Sequence, residues 1–335
     1  MRVRGARLLQ PPLNRFLPIA LCLTAGALTS CSTQRPHVEP SSLGAKTWTS
    51  TDGKEMPWRV WSVPRGTRPR CVMITVHGLS GTAEDFHALG EALPSQGIAV
   101  YGYELRGQGN DPDRARRGDI DEPETWMRDL MAFHRLVRAR HPGVPVVWYG
   151  ESLGSLIALH AAASHCPCAT PNAVIFASPI GGLRTQVSGL RRALLRSASR
   201  VLPTLRVKLG GAAGVDENKV RVTSTTTHGG QMTKTPHHVP AFTLRLLRGL
   251  DDLLRANARA AGTLDLPVLM LGSPNDVVSS PEQVRALFGR IASDDKRLLW
   301  YRRSYHLLLH DVQHEDVVHD VAQWMSRHGW GVRQP

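Results

Sequence analysis

From residue 55 onward the chain alternates short apolar runs with longer segments of helical spacing. PWRVWSVP alternates apolar and polar positions as a half-buried strand does, whereas CVMITVHGLSG is a continuous apolar run that closes on a glycine-rich turn, the mark of a fully buried strand. DFHALGEALPSQG predicts a helix closed by Gly97, and IAVYGYELRGQGND a strand and its loop. In ETWMRDLMAFHRLVRARHP, Trp126, Leu130, Phe133 and Val137 recur at helical intervals, and Pro142 ends the run before the strand VPVVWYG. The alternation continues through the strand NAVIFASPI, then LPVLMLGSPND, the helix SPEQVRALFGRIA, the strand KRLLWY, the loop RRSYH and a helix through DVVHDVAQWM. Strand and helix in turn predict an α/β fold, with a mostly parallel central sheet covered by helices on both faces.

One interval breaks that rhythm. Between NAVIFASPI and LPVLMLGSPND lie roughly eighty residues, too many for a simple α/β connection. GLRRALLRSASRVLP is helical, with Leu190, Leu194, Leu195, Ala198 and Leu202 toward one side and arginines on the others. GGAAGVDENKVRVTSTTTHGGQMTKTPHHVP reads as loop-rich, and AFTLRLLRGLDDLLRANARAA as a strong helix. This inserted segment, 183–262, is expected to form a helical cap over a core made of 53–182 and 263–335.

The N-terminus follows another pattern. MRVRGARLLQPPLNR is basic, FLPIALCLTAGAL is apolar over the length of a signal-peptide core, and Leu28-Thr29-Ser30-Cys31 resembles a bacterial lipobox. Residues 1–31 are therefore expected to be a lipoprotein signal peptide whose Cys31 is lipidated and heads the mature chain, making the protein an exported, membrane-anchored lipoprotein. Ser32 in the position of a retention aspartate points to the outer membrane. Residues 32–52, rich in Ser, Thr and Pro, read as a flexible tether.

The formal charge of +13 falls to +9 once the leader, with its four arginines and no acids, is set aside. The remaining arginines are scattered among helices without interleaved aromatics, so a nucleic-acid partner is not expected, while an anionic lipid surface is compatible. Cys166-Pro167-Cys168 has the wrong spacing for a zinc knuckle, and no metal is expected. A bridge across one intervening residue would be strained, so loop thiols are the simpler reading.

The chemistry gathers around GESLGS. Ser152 falls between the strand VVWYG and the helix LGSLIALHAAA in a G-x-S-x-G pattern, where a sharp elbow flanked by Gly150 and Gly154 would hold its hydroxyl above the sheet at the positive end of a helix. A serine hydroxyl is a weak nucleophile and needs a base. His306, in the loop after the last strand, is the candidate among fifteen histidines, with His310 the rival. Asp276, after the strand VLML, would fix the imidazole tautomer, although SPND also suits a simple Asx turn. In the loop VHGLSG, His77 and Gly78 shape the turn, and the Leu79 N–H would join the Leu153 N–H in an oxyanion hole.

VHGLSGTAEDFHALGEAL, YELRGQGND, GESLGS, GSPNDVVSSPEQV and the final SYHLLLHD and WM together resemble the monoacylglycerol lipase and lysophospholipase branch, serine aminopeptidase S33-type, of the α/β-hydrolase superfamily. The likeness spans about 53–182 and 263–330, and the order Ser152, Asp276, His306 is that of the superfamily triad. It implies an α/β-hydrolase fold with an inserted cap, no cofactor, and a serine esterase forming an acyl-enzyme on Ser152 from monoacylglycerol or lysophospholipid. A peptidase or small-ester hydrolase of the same superfamily, or a non-catalytic envelope lipoprotein used as a binding module, are the alternatives. LRGQGND departs from the commoner Asp-x-Arg-Gly-x-Gly-x-Ser loop at Glu104 and Asn110. The oligomeric state is not legible.

Overall fold

The computed structural model describes residues 41–184, 188–208 and 218–331. The expected signal peptide, lipobox Cys31 and most of the tether lie outside the described residues. Among those described, nine strands form one sheet in the order β1-β2-β3-β5-β4-β6-β7-β10-β11. These are β1 Ser42–Leu43, β2 Thr47–Thr49, β3 Glu55–Trp61, β4 Cys71–Val76, β5 Ile98–Tyr103, β6 Val146–Glu151, β7 Ala173–Ala177, β10 Val268–Gly272 and β11 Lys296–Trp300. From β5 to β11 every pairing is parallel, while β1, β2 and β3 extend one edge antiparallel. Every residue of β4, β5 and β6 is buried, as unbroken apolar runs require when both faces of a sheet are covered.

Two layers do that covering. On one face α2 (Glu124–Arg140), α3 (Leu153–Ala163), α6 (Leu244–Ala261) and α7 (Pro281–Arg290) bury Trp126, Leu130, Ile157, Leu246 and Leu287 against Val72, Ile74 and Trp148. On the other, α1 (His87–Ala92) and α8 (His314–Arg327) bury Leu89, Val317, Val321 and Met325 against Met73, Val100 and Tyr149.

Three local expectations change. The tether stops short of 52: β1 and β2 belong to the sheet, and Trp48 is fully buried, with Tyr103 and Phe133 edge-on at 5.7 and 5.3 Å. One tryptophan buries enough apolar surface to hold a polar stretch whose composition reads as linker. The helix expected over DFHALGEALPSQG is only α1, flanked by 3-10 turns at Ala83–Phe86 and Pro94–Gln96, because Pro94 supplies no N–H to continue it. The stretch read as loop-rich contains α5 (His228–Lys234), started by the Thr227 side chain accepting from the Gly230 N–H at 3.2 Å.

The insertion rises between β7 and β10 as α4 (Gly189–Val201), a two-stranded β8 (Arg206–Val207) and β9 (Phe242–Thr243), α5 and the first turns of α6. Its last helix has two roles, since the later part of α6 buries Leu253, Ala260 and Ala261 in the core beneath. Asn257 there donates to the Ile180 carbonyl at 2.8 Å. The cap therefore ends inside α6 and not at 262. Of the leucines on α4 and at its C-cap, only Leu195 turns to the cavity. Leu190, Leu194 and Leu202 are 74%, 62% and 53% exposed, and it is Arg192 and Arg196 that meet α6, pairing with Asp251 at 3.3 and 2.9 Å.

Because Trp48 is an internal side chain, Trp48→Ala should cost about 3–5 kcal/mol of stability by urea denaturation. A loss below about 1 kcal/mol would return residues 41–52 to the tether.

Candidate active site

Ser152 alone separates β6 from α3. Its φ of 53° lies in the left-handed region, and the crowding that forces it there comes from its flanking glycines. A Cβ on Gly154 would stand 1.8 Å from the Val76 carbonyl oxygen, and one on Gly150 would stand 2.4 Å from that of Gly154. Helix and strand thus touch backbone to backbone, and the chain can turn between them only as an elbow with the serine at its tip.

The partners come from two loops at the same end of the sheet. His306 follows β11, and its Nε2 lies 2.9 Å from Ser152 Oγ; its Nδ1 lies 3.0 and 2.9 Å from the two carboxylate oxygens of Asp276, which follows β10. Asp276 also accepts the Val278 N–H at 2.7 Å. All three side chains are buried. Burial alone would lower the His306 pKa, but the adjacent Asp276 charge and its hydrogen bond outweigh that, and the imidazole is held above its ordinary value. A group in that state accepts a proton readily. Ser178 secures the loop by donating to the His306 carbonyl, and Asn275 donates to the carbonyls of Arg302 and Ser304 at 2.8 and 3.1 Å. His310, the rival base, is exposed at the end of a 3-10 turn and lines the cavity without reaching the serine.

Leu79 and Leu153 both border the cavity beside Ser152, and among the described residues neither N–H is engaged by another acceptor. Two such donors can hold an oxyanion. His77 shapes the loop that carries one of them. Its Nε2 accepts the Leu105 N–H at 3.0 Å, so the ring proton sits on Nδ1 and is donated to the Gly78 carbonyl at 2.9 Å. The variant loop residues answer one another: Asn110 donates to Glu104 at 3.2 Å, and Glu104 also accepts the Ala83 N–H at 3.2 Å.

Two features escaped the sequence reading. Ser80, Ser152 and Ser178 hold positive φ, at 60°, 53° and 45°, so three of the four positive values among the described non-glycine residues lie at this site. Glu151, beside Ser152, is a buried carboxyl whose Oε2 has no hydrogen-bond partner among the described residues. Desolvation, with the Asp85 charge adding to it, pushes its pKa up to about 8. Only the period-two rule for a buried strand could have hinted that this side chain points inward.

A cavity of about 500 Å³ opens over Ser152, with a mostly apolar surface to which Leu79, Leu156, Leu195, Leu247, Leu250 and Leu254 contribute, and with Arg192, Arg196, Arg248 and Asp251 also in its wall. The cap is pinned to the histidine loop at its edge. The Leu307 N–H donates to Val222 at 3.0 Å, and Asp311 accepts the N–H groups of Ser224 and Tyr305 at 2.9 and 2.8 Å.

The Glu151 carboxyl supplies a pH test. Below its ordinary value of 4.5 both folded and unfolded chains hold the proton. As pH rises the unfolded chain ionises first, so stability is lost progressively up to about 8, where the folded carboxyl ionises too. Glu151→Gln should match the wild type at pH 4.5 and exceed its Tm by roughly 5 °C at pH 9. A Tm difference that does not change with pH would show that Glu151 is not held protonated.

Comparison with known proteins bears on the same geometry. Residues 67–313 match the family model described as serine aminopeptidase, S33. The monoacylglycerol lipase of Mycolicibacterium smegmatis is 23% identical over 290 residues, 86% of this chain and 99% of its own. The monoglyceride lipase of Rattus norvegicus is 24% identical, over 83% of this chain and 88% of its own. Among solved structures, the Paleococcus ferrophilus monoacylglycerol lipase superposes with a TM-score of 0.69 at 22% identity, covering 82% of this chain and all of that one. A soluble variant of the Saccharomyces cerevisiae monoglyceride lipase reaches 0.70 at 18% identity, covering 87% and 97%. With the elbow, the mostly parallel sheet and a family match over most of its length, the chain belongs to the serine aminopeptidase S33 family of α/β-hydrolases.

Proposed function

We propose that the chain cleaves carboxylic esters of single-chain lipids, monoacylglycerol or lysophospholipid, through an acyl-enzyme on Ser152. The observation that carries this reading is the cavity: about 500 Å³, mostly apolar in its surface, and opening on the Ser152 hydroxyl. That volume and lining suit an acyl chain. The lipase names of the relatives point the same way, as do the outward leucines of α4, which offer an apolar face to a lipid surface.

In this mechanism His306 Nε2 takes the Ser152 proton as Oγ attacks the ester carbonyl, and Asp276 stabilises the imidazolium. The Leu79 and Leu153 N–H groups receive the negative charge of the tetrahedral oxygen. His306 then gives its proton to the leaving alcohol. Water, activated by the same imidazole, releases the fatty acid and restores the hydroxyl.

A fluorophosphonate probe should label the wild type, and Ser152→Ala should abolish both labelling and ester turnover, a loss of about 10⁴-fold or more. Across monoacylglycerols, lysophospholipids, short soluble esters and aminoacyl amides, single-chain lipid esters should give the highest kcat/KM. A preference for amides would place the chain with peptidases instead, and absence of Ser152-dependent labelling in folded protein would leave only a binding role.

We also propose that Cys31 is lipidated and tethers the domain to a membrane after export, a reading supported by the leader pattern and by Leu28-Thr29-Ser30-Cys31. Cys31→Ala should move the protein out of the membrane fraction. Retention there would overturn the anchor.

A further inference from the structure

The far end of α3, the helix that Ser152 opens, carries chemistry that hydrolysis does not use. After α3 the chain turns at His165, whose φ of 48° is the fourth positive value among the described non-glycine residues. It then enters Cys166-Pro167-Cys168. The Cys166 carbonyl accepts the Ala169 N–H at 2.9 Å and the Thr170 hydroxyl at 2.8 Å, closing a tight turn that brings the two thiols to the same side, Sγ to Sγ 2.9 Å. Arg135, projecting from α2, donates from Nη1 to Cys168 Sγ at 3.6 Å.

The two thiols differ in access and in environment. Cys168 is exposed and Cys166 half-buried. The hydrogen bond from Cys166, and after it the one from Arg135, hold the Cys168 thiol below its ordinary pKa. Cys71 shows the opposite case, fully buried in the sheet with its thiol pushed up to about 12 by desolvation. A thiolate is the nucleophile in sulfur exchange, so exposure, an adjacent guanidinium and a second thiol in contact are what an exchange-active cysteine needs.

We propose that Cys166 and Cys168 form a thiol–disulfide exchange site that reacts with low-molecular-weight disulfides, Cys168 being the attacking sulfur and Cys166 the resolving one. Cys168 releases its proton, and the thiolate attacks one sulfur of the disulfide RSSR. The RS–SR bond breaks, RS⁻ leaves and takes up a proton, and a mixed disulfide remains on Cys168. Cys166 then loses its proton and attacks Cys168 Sγ, expelling the second RS⁻, which is protonated in turn. Two electrons pass from the protein dithiol to RSSR, giving one intramolecular disulfide and two RSH.

The size of the ring decides what such a bond is for. A loop with one residue between its cysteines removes little freedom from the unfolded chain, so the bridge adds little stability. Closing it strains disulfide geometry, and strained, exposed disulfides are readily reduced. The pair is built to open and close. It lies about 15 Å along α3 from the nucleophile, so its chemistry stands independently of the hydrolytic reading.

The test poises the full chain in graded ratios of oxidised to reduced glutathione, traps thiols with an alkylating agent and reads the products by mass spectrometry. A Cys166–Cys168 disulfide should appear as the ratio rises and disappear when it is lowered. Cys166→Ser should accumulate a mixed disulfide at Cys168, whereas Cys168→Ser should react at Cys166 about fivefold more slowly or worse. In the Cys166→Ser background, Arg135→Ala should slow Cys168 by about the same factor at pH 7. An unchanged Tm in each variant shows that the fold is intact. No intramolecular disulfide at any ratio, or equal rates for the two single-cysteine variants, would overturn the proposal.

Discussion

The site depends on one crowded contact, where the first turn of α3 lies against the end of β4 so closely that residue 154 has no room for a side chain. The Val76 carbonyl oxygen would stand 1.8 Å from its Cβ. With the helix pressed onto the sheet there, one residue must complete the passage from β6 to α3, and Ser152 does so at positive φ. Such a conformation costs on the order of 1–3 kcal/mol, and the surrounding sheet holds it in place. The same cost recurs at Ser178, which follows the neighbouring strand and donates to the His306 carbonyl. Strain at one loop thus positions His306, and strain at the elbow positions the Ser152 hydroxyl.

Burial then divides the carboxyls of the site into two kinds. Asp276 is met by the His306 ring and the Val278 N–H, so its charge is answered within hydrogen-bond distance. Glu151, one residue before the nucleophile, finds no partner for Oε2 and avoids the cost of an unanswered charge by keeping its proton. Of the two acids, Asp276 does more to hold the His306 pKa up, by its charge and by its bond to the nitrogen facing away from the serine, and the Glu151 charge, when present, adds a smaller effect in the same direction.

Much of this was legible in the chain before any coordinates. The core strands read clearly because burial on both faces leaves them almost wholly apolar, as in CVMITV and VVWYG. Ser152, Asp276 and His306 could be chosen because each follows a strand at the same edge of a parallel sheet, so adjacency in space followed from topology. What stayed hidden depends on contacts that spacing does not encode. Trp48 sits among serines and threonines, and only its packing on Tyr103 and Phe133 makes β2 part of the sheet. Glu104 and Asn110 looked like two separate departures from a loop pattern, yet they bond each other. The inward turn of Glu151 depends on contacts that the G-x-S-x-G pattern does not specify.

The cap was the hardest to read, because helical periodicity identifies an apolar stripe without saying what the stripe faces. On α4 the stripe divides, with Leu195 lining the cavity. Arg192 and Arg196 turn inward to Asp251, which also accepts from Arg255 at 2.9 Å, while Leu190 and Leu194 turn out. Ion pairs that solvent can reach contribute little each, so α4 is held on α6 more weakly than a leucine seam would hold it. The other side of the cap is anchored differently, by the Leu307 N–H donating to the Val222 carbonyl beside His306 and by the Ser224 N–H donating to the buried Asp311 carboxylate. A roof fixed at the base's loop and lightly held along α4 would yield first on the α4 side. Access to the Ser152 hydroxyl is then easiest beneath the helix whose outer leucines face the surroundings.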